Sequence, residues 1–185
     1  MNLAEYKYMT DSVTVNPFGI PIAQTWNQIG LLFEDINKYK ITFVAELGTY
    51  LGGLSELLEL RANMVGNFDW LGVDIDRPQI HARMRHHSKM IIGSAYDGGI
   101  IGQIAQRINA NQGVAMVFCD TVDKQKDMIT YAPILRVGDY IRPHDYPGET
   151  TAESLAKFGA DFPYMREIEP EKYRELGTSL WKREA

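Results

Sequence analysis

Phe43-Val44-Ala45-Glu46-Leu47-Gly48-Thr49-Tyr50-Leu51-Gly52-Gly53-Leu54 is the stretch on which the reading of the chain turns. A short apolar run closes on an acid, and a glycine-bearing turn then opens a helical segment. Strand, loop and helix in that order suit a nucleotide site. Glycines let the backbone approach a ligand, and the free N–H groups of the new helix favour polar or anionic groups. The spacing is not the G-x-G-x-x-G of dinucleotide sites, because Tyr50 stands two residues after Gly48. It reads E-x-G-x-x-x-G-G.

Working outward, Ile22, Trp26, Ile29, Phe33 and Ile36 recur at helical spacing from Pro21, which makes core packing the expectation for Trp26. Ile41–Ala45 is the strand ahead of the loop, and Leu54, Leu57, Leu58 and Met64 mark the helix after it. Trp70–Asp76 reads as a second strand with acids at its end. Pro78 suits the first turn of a helix running to about His87. Met90–Ile92 is a third strand, and Ile100, Ile101, Ile104 and Ile108 mark the next helix. Val114–Cys119 is the most continuous apolar run and therefore a central strand. A helix over about Lys124–Leu135 precedes a fifth strand at Asp139–Ile141. One helix (Ala152–Phe158) and two short strands, near 164–168 and 179–182, complete the chain. Strands alternating with helices imply an α/β fold with a doubly wound, mostly parallel sheet.

The 185 residues suit one domain. A net charge of −5 argues against a nucleic-acid backbone as the main partner. The one cysteine, Cys119, excludes an intrachain disulfide. No apolar run approaches the roughly 20 residues of a membrane span. Met1–Lys7 lacks the charged-then-apolar form of a signal peptide, so a cytoplasmic protein is the expectation.

With its motif Glu46–Gly53, the chain resembles class I S-adenosylmethionine (SAM)-dependent methyltransferases. Asp74 falls about twenty residues further on, at the end of the second strand, as a ribose-binding acid does in such folds. Gly93-Ser94-Ala95 follows the third strand, Asp120 closes the fourth, Gly138 precedes the fifth, and His144-Asp145 follows it. This succession is most similar to the small-molecule O-methyltransferases of the cephalosporin-hydroxylase-like group, over roughly Pro21–Tyr146. The resemblance implies a Rossmann-like sheet with a C-terminal antiparallel strand. It divides the chain into an extension (1–20), a core (21–146) and a C-terminal helix with strands (147–185). SAM binding would fall to Glu46, Gly48, Tyr50, Gly52, Gly53, Asp74, Asp76 and Ser94. The implied reaction is methyl transfer to an oxygen of a small hydroxylated molecule. Homo-oligomerisation stays open.

In resembling metal-dependent enzymes, carboxylates at the positions of Asp120 and Asp145 hold a divalent cation, here magnesium, manganese or calcium, with His144 as a third ligand. An imidazole beside two carboxylates suits a softer ion than magnesium. Lys124, His144 and Asp120 are the catalytic candidates, the first two as bases. Each has a plainer reading: Asp76 and Asp120 as caps, Asp145 as a turn, Lys124 as a solvated side chain, and Arg83–Lys89 as a wetted basic helix face. Asn16-Pro17-Phe18-Gly19 reads first as a turn. Pro143 should lie just past the strand's pairing region or in a bulge. Residues Thr121–Asp123 depart from the group's pattern. Together with the irregular Arg142-Pro143, that keeps open a non-catalytic module that binds SAM or a nucleotide; an N- or RNA-methyltransferase is the second enzymatic alternative, against which the absence of its motif after the fourth strand counts.

Overall fold

The computed structural model describes residues 14–75 and 80–185. Asp76, among the expected cofactor residues, and Pro78, the expected helix start, lie outside the described residues. Strands β1 (Thr14–Val15) and β2 (Pro21–Ile22) form a hairpin around the expected Asn16–Gly19 turn. Asn16 Oδ1 accepts the N–H groups of Phe18 and Ile20, and Gly19 takes φ +78°. The apolar series from Pro21 is therefore divided between two elements. Ile22 belongs to a strand, and helix α1 (Trp26–Lys38) starts at a capping box formed by Thr25 and Gln28. Trp26, on the first turn, is 54% exposed rather than part of the core.

The remaining elements are β3 (Ile41–Leu47), α2 (Gly53–Met64), β4 (Asp69–Asp74), α3 (Ala82–Arg85), β5 (Met90–Ile92), α4 (Gly98–Ala110) and β6 (Val114–Cys119). After these come α5 (Lys124–Tyr131), β7 (Tyr140–Pro143), α6 (Ala152–Asp161), β8 (Met165–Glu167), α7 (Pro170–Glu175) and β9 (Trp181–Arg183). The seven-stranded sheet runs β5-β4-β3-β6-β7-β9-β8. Its first five strands are parallel, and β9 is antiparallel to both of its neighbours. This is the expected doubly wound, Rossmann-like sheet, with β6 central.

Alternation along the strands sorts the core onto two faces. Val44, Met116 and Phe118 pack with Ile29, Leu32, Leu58 and Trp70 on one side. Phe43, Ala45, Val117 and Cys119 pack with Ile104, Met128 and Leu155 on the other. From β3 successive strands are added toward one edge of the sheet (β4, β5) and from β6 toward the other (β7), so the carboxyl ends of β3 and β6 flank the crevice in which open α/β sheets bind ligands.

Several local expectations are corrected. The third helix shrinks to Ala82–Arg85. Its basic run is engaged rather than merely wetted: Arg83 pairs with Glu56 at 2.7 Å, and Lys89 bridges Glu59 and Asp69. Helix α5 gives way to a 3-10 turn at Ala132–Ile134, because Pro133 has no N–H to continue the α ladder. Pro143 lies inside β7, paired with Cys119, rather than beyond it. Its carbonyl accepts the Ser179 N–H at 3.2 Å, so its missing donor faces the segment leading into β9 rather than β6, and the pairing continues past it at His144 and Thr178. Helix α7 and the first hairpin carry no strong periodicity.

Candidate active site at the carboxyl ends of the strands

The loop after β3 is shaped by close backbone approach. Gly48 takes φ +80°, its N–H bonds Val73 O at 2.9 Å, and a Cβ there would lie 2.4 Å from the backbone oxygen of Asp120. Glycine is required here by the neighbouring strand end as well as by the turn. Gly48→Ala should cost about 2–4 kcal/mol, from the left-handed backbone and the overlap together. Thermal unfolding checks this, and a fall below about 1 kcal/mol would refute the crowding.

Two acids hold the loop from beneath. Asp74 Oδ2 accepts the N–H groups of Thr49 and Tyr50 at 2.8 and 3.0 Å and the Thr49 hydroxyl at 3.3 Å. Glu46 is buried and accepts the Ser55 hydroxyl at 2.5 Å. Burial pushes its carboxyl well above the usual range, and the charges of Asp120 and Asp74 add to this.

A cleft of about 390 Å³ opens beside this loop, and its lining includes Gly48, Tyr50, Asp74, Ser94, Asp120 and Val122. Of the expected cofactor residues, Glu46 and Gly53 face an adjoining recess shared with Gln24, Tyr50 and Asp120. Gly52 takes φ +84° and packs against Met84 instead. Sequence reading missed the apolar rim, Ile75 and Val122, which are 74% and 90% exposed. The signal was present, since each follows an acid at a strand end by one or two residues. Also missed was the network in which the Tyr96 and Thr121 hydroxyls donate to Asp127 at 2.9 and 2.8 Å.

Asp120, His144 and Asp145 converge past the ends of β6 and β7, with one ligand atom of each within 4.8 Å of the others. Successive strand residues normally point apart. The left-handed φ of +60° at Asp145 turns the chain so that His144 Nδ1 lies 2.8 Å from Asp145 Oδ1 and 3.4 Å from Asp120 Oδ1. The Gln24 amide donates to Asp120 Oδ2. Lys124, buried at the start of α5, sets Nζ 2.8 Å from Asp145 Oδ2 and 3.6 Å from Asp120 Oδ1, and pairs with Glu149.

The charges here are strongly interdependent. Burial acts to depress His144, but Asp120 and Asp145 outweigh it and push the imidazole up to about 9. Burial likewise opposes the charge on Lys124, yet the surrounding carboxylates hold it above its ordinary value. Asp120 is raised by burial despite His144 and Lys124. Asp145 feels the opposite balance: burial raises it, but His144 and Lys124 pull it well below the usual carboxylate range. Both nitrogens of His144 are buried without a well-formed hydrogen bond among the described residues. Two carboxylates and an unsatisfied imidazole are a donor set that fits a divalent ion.

The model of the Rhamnosyl O-methyltransferase/CmcI family matches residues 8–158. Among solved structures, the chain is similar to an apo form of CmcI, with a TM-score of 0.73 and 12% identity, covering 100% of this chain and 85% of that one. It is similar to CmcI with magnesium and SAM at TM-score 0.70 and 14% identity, covering 90% and 75%. It is similar to the O-methyltransferase TomG from Streptomyces achromogenes in complex with SAM at TM-score 0.56 and 13% identity, covering 100% and 97%. No curated protein matches the chain. These likenesses establish the fold, and the family match carries the rest: the chain belongs to the Rhamnosyl O-methyltransferase/CmcI family and is a class I, SAM-dependent O-methyltransferase.

Proposed function

We propose that this enzyme methylates a hydroxyl oxygen held at the mouth of the cleft, between the glycine loop and the Asp120–His144–Asp145 cluster. The single observation that carries the reading is the adjacency of these two features. Asp120 lines the cofactor-sized cleft and belongs to the cluster. An acceptor oxygen held at that boundary would lie next to a methyl donor in the cleft, and such positioning supplies much of the rate of a bimolecular transfer.

In this reading Gly48, Tyr50, Asp74 and Ser94 bound the nucleoside side of the cleft. Glu46, Gly52 and Gly53 keep the loop and its helix in place at the amino-acid end. Asp76 is retained as a cofactor candidate from the sequence. Tyr50, Ile75 and Val122 supply an apolar, water-excluding wall. When bound, SAM supplies an electrophilic methyl group, and a divalent ion held by Asp120, His144 and Asp145 supplies charge that lowers the acceptor hydroxyl's pKa. In the ion-free site the surrounding carboxylates raise both Lys124 and His144, which favours their protonated forms. In this reading Lys124, whose neutral form a neighbouring cation favours, would take the proton of the acceptor hydroxyl as the methyl–sulfur bond of SAM breaks. The acceptor is a small hydroxylated molecule, and the setting we assign is cytoplasmic, which fractionation would test.

No helix among the described residues is long and apolar enough to cross a membrane. Chelation should lower turnover at least tenfold, and manganese should restore it at lower concentration than magnesium or calcium, because the imidazole favours the softer ion. Equilibrium binding of each ion, alongside steady-state rates, measures this. Turnover indifferent to chelation would remove the ion from the scheme. Calorimetry with SAM, NAD and ATP tests the cleft separately. Only SAM should bind tightly, and Asp74→Ala should weaken it.

A further inference from the structure

Lys124 competes for one of the groups assigned to the ion. Its Nζ lies 2.8 Å from Asp145 Oδ2, on the far oxygen from the one nearest His144. Glu149 also pairs with this ammonium but is not among the side chains whose ligand atoms converge. Its side chain is 48% exposed, against 4% for the lysine, so the carboxylate has room to follow the ammonium. The segment carrying it is closed on the cluster at both ends. Thr150 donates its N–H to Asp145 O at 3.1 Å and its hydroxyl to His144 O at 2.9 Å.

A doubly charged ion on Asp145 would repel an ammonium a few ångströms away, most strongly where water is scarce. We propose that Glu149 is a positioning residue: it draws Lys124 off Asp145 when a divalent ion enters, so that the lysine remains paired while the carboxylate turns to the ion. This rests on the reading that Asp120, His144 and Asp145 hold an ion. Glu149 then acts on ion affinity only through Lys124.

A double-mutant cycle tests it, read by manganese binding in electron paramagnetic resonance titrations of the full chain, with no acceptor present. Glu149→Gln should weaken manganese binding roughly tenfold, an effect of one charge in a partly buried setting. Glu149→Asp should recover part of it. Lys124→Met should bind manganese at least as tightly as the parent, and adding Glu149→Gln to Lys124→Met should change affinity less than twofold. The inference is overturned if Glu149→Gln has no effect, or if its effect is the same with and without Lys124. If the parent chain binds no manganese, the ion reading itself fails and takes this inference with it, a distinguishable result. Melting curves of all variants show that the comparison is made on folded protein.

Discussion

Asp120→Asn should lower kcat/KM by about 10³-fold while leaving SAM affinity within roughly fivefold, the scale expected when one fixed charge is removed from a site that stabilises developing charge. Three observations make this the largest catalytic effect. Among the described residues, Asp120 is the one shared by the cleft, the recess beneath the glycine loop and the acid–histidine cluster. Its carboxylate is almost wholly buried, so water replaces little of what the substitution removes. The asparagine keeps the shape of the side chain and the contact with Gln24, which separates loss of charge from loss of packing. A second readout follows from the same charge. Among the influences that raise His144, Asp120 comes first. In Asp120→Asn the imidazole midpoint should therefore fall from about 9 toward the ordinary 6.5, as followed by NMR titration. In the parent, stability contributed by protonated His144 is fully present below pH 6.5 and is lost as pH rises through about 9. A fall in kcat/KM of less than tenfold, or an unmoved midpoint, would mean that the charge of Asp120 is not central.

Much of this site was legible because its chemistry lies at strand ends, where periodicity stops abruptly. The runs ending at Glu46, Asp74 and Asp120 are apolar on both faces, and an acid that interrupts such a run must sit at the carboxyl end of the sheet. What sequence could not supply were contacts made across elements. Gln24 reaches Asp120 over 96 positions of chain, and no local pattern marks it. Glu149 looks like any exposed acid until Asp145 adopts its left-handed backbone and brings the loop back. Trp26 misled because helical spacing constrains which face a residue occupies only after the helix start is known, and Thr25 sets that start. Gly48 was read as a ligand-facing glycine; it lines the cleft, and the crowding by the Asp120 backbone that also demands glycine there is a contact no local pattern marks.

The same limitation hid the ion pair on which the largest stability effect is expected. Arg142 of β7 and Asp35 of α1 are each 1% exposed and meet at 2.7 Å, and the Tyr173 hydroxyl donates to the other oxygen of Asp35 at 2.6 Å. Asp35→Ala leaves a guanidinium and a phenol buried without their acceptor. That should cost about 3–5 kcal/mol and lower Tm by roughly 10 °C in a chain of this size. Burying two charges costs about what their mutual attraction returns, so such a pair need not be a net source of stability. Burial raises Asp35 against the pull of Arg142 and lowers Arg142 against the pull of Asp35, so desolvation exceeds attraction for both partners. Replacing the whole unit, as Asp35→Leu with Arg142→Met and Tyr173→Phe, should therefore restore the parent Tm to within a few degrees or exceed it, whereas the single change falls far below. Calorimetric unfolding of the single and triple variants decides the matter. A triple variant as unstable as the single one would show that the three groups contribute attraction beyond the cost of burying them, contrary to the direction of both shifts.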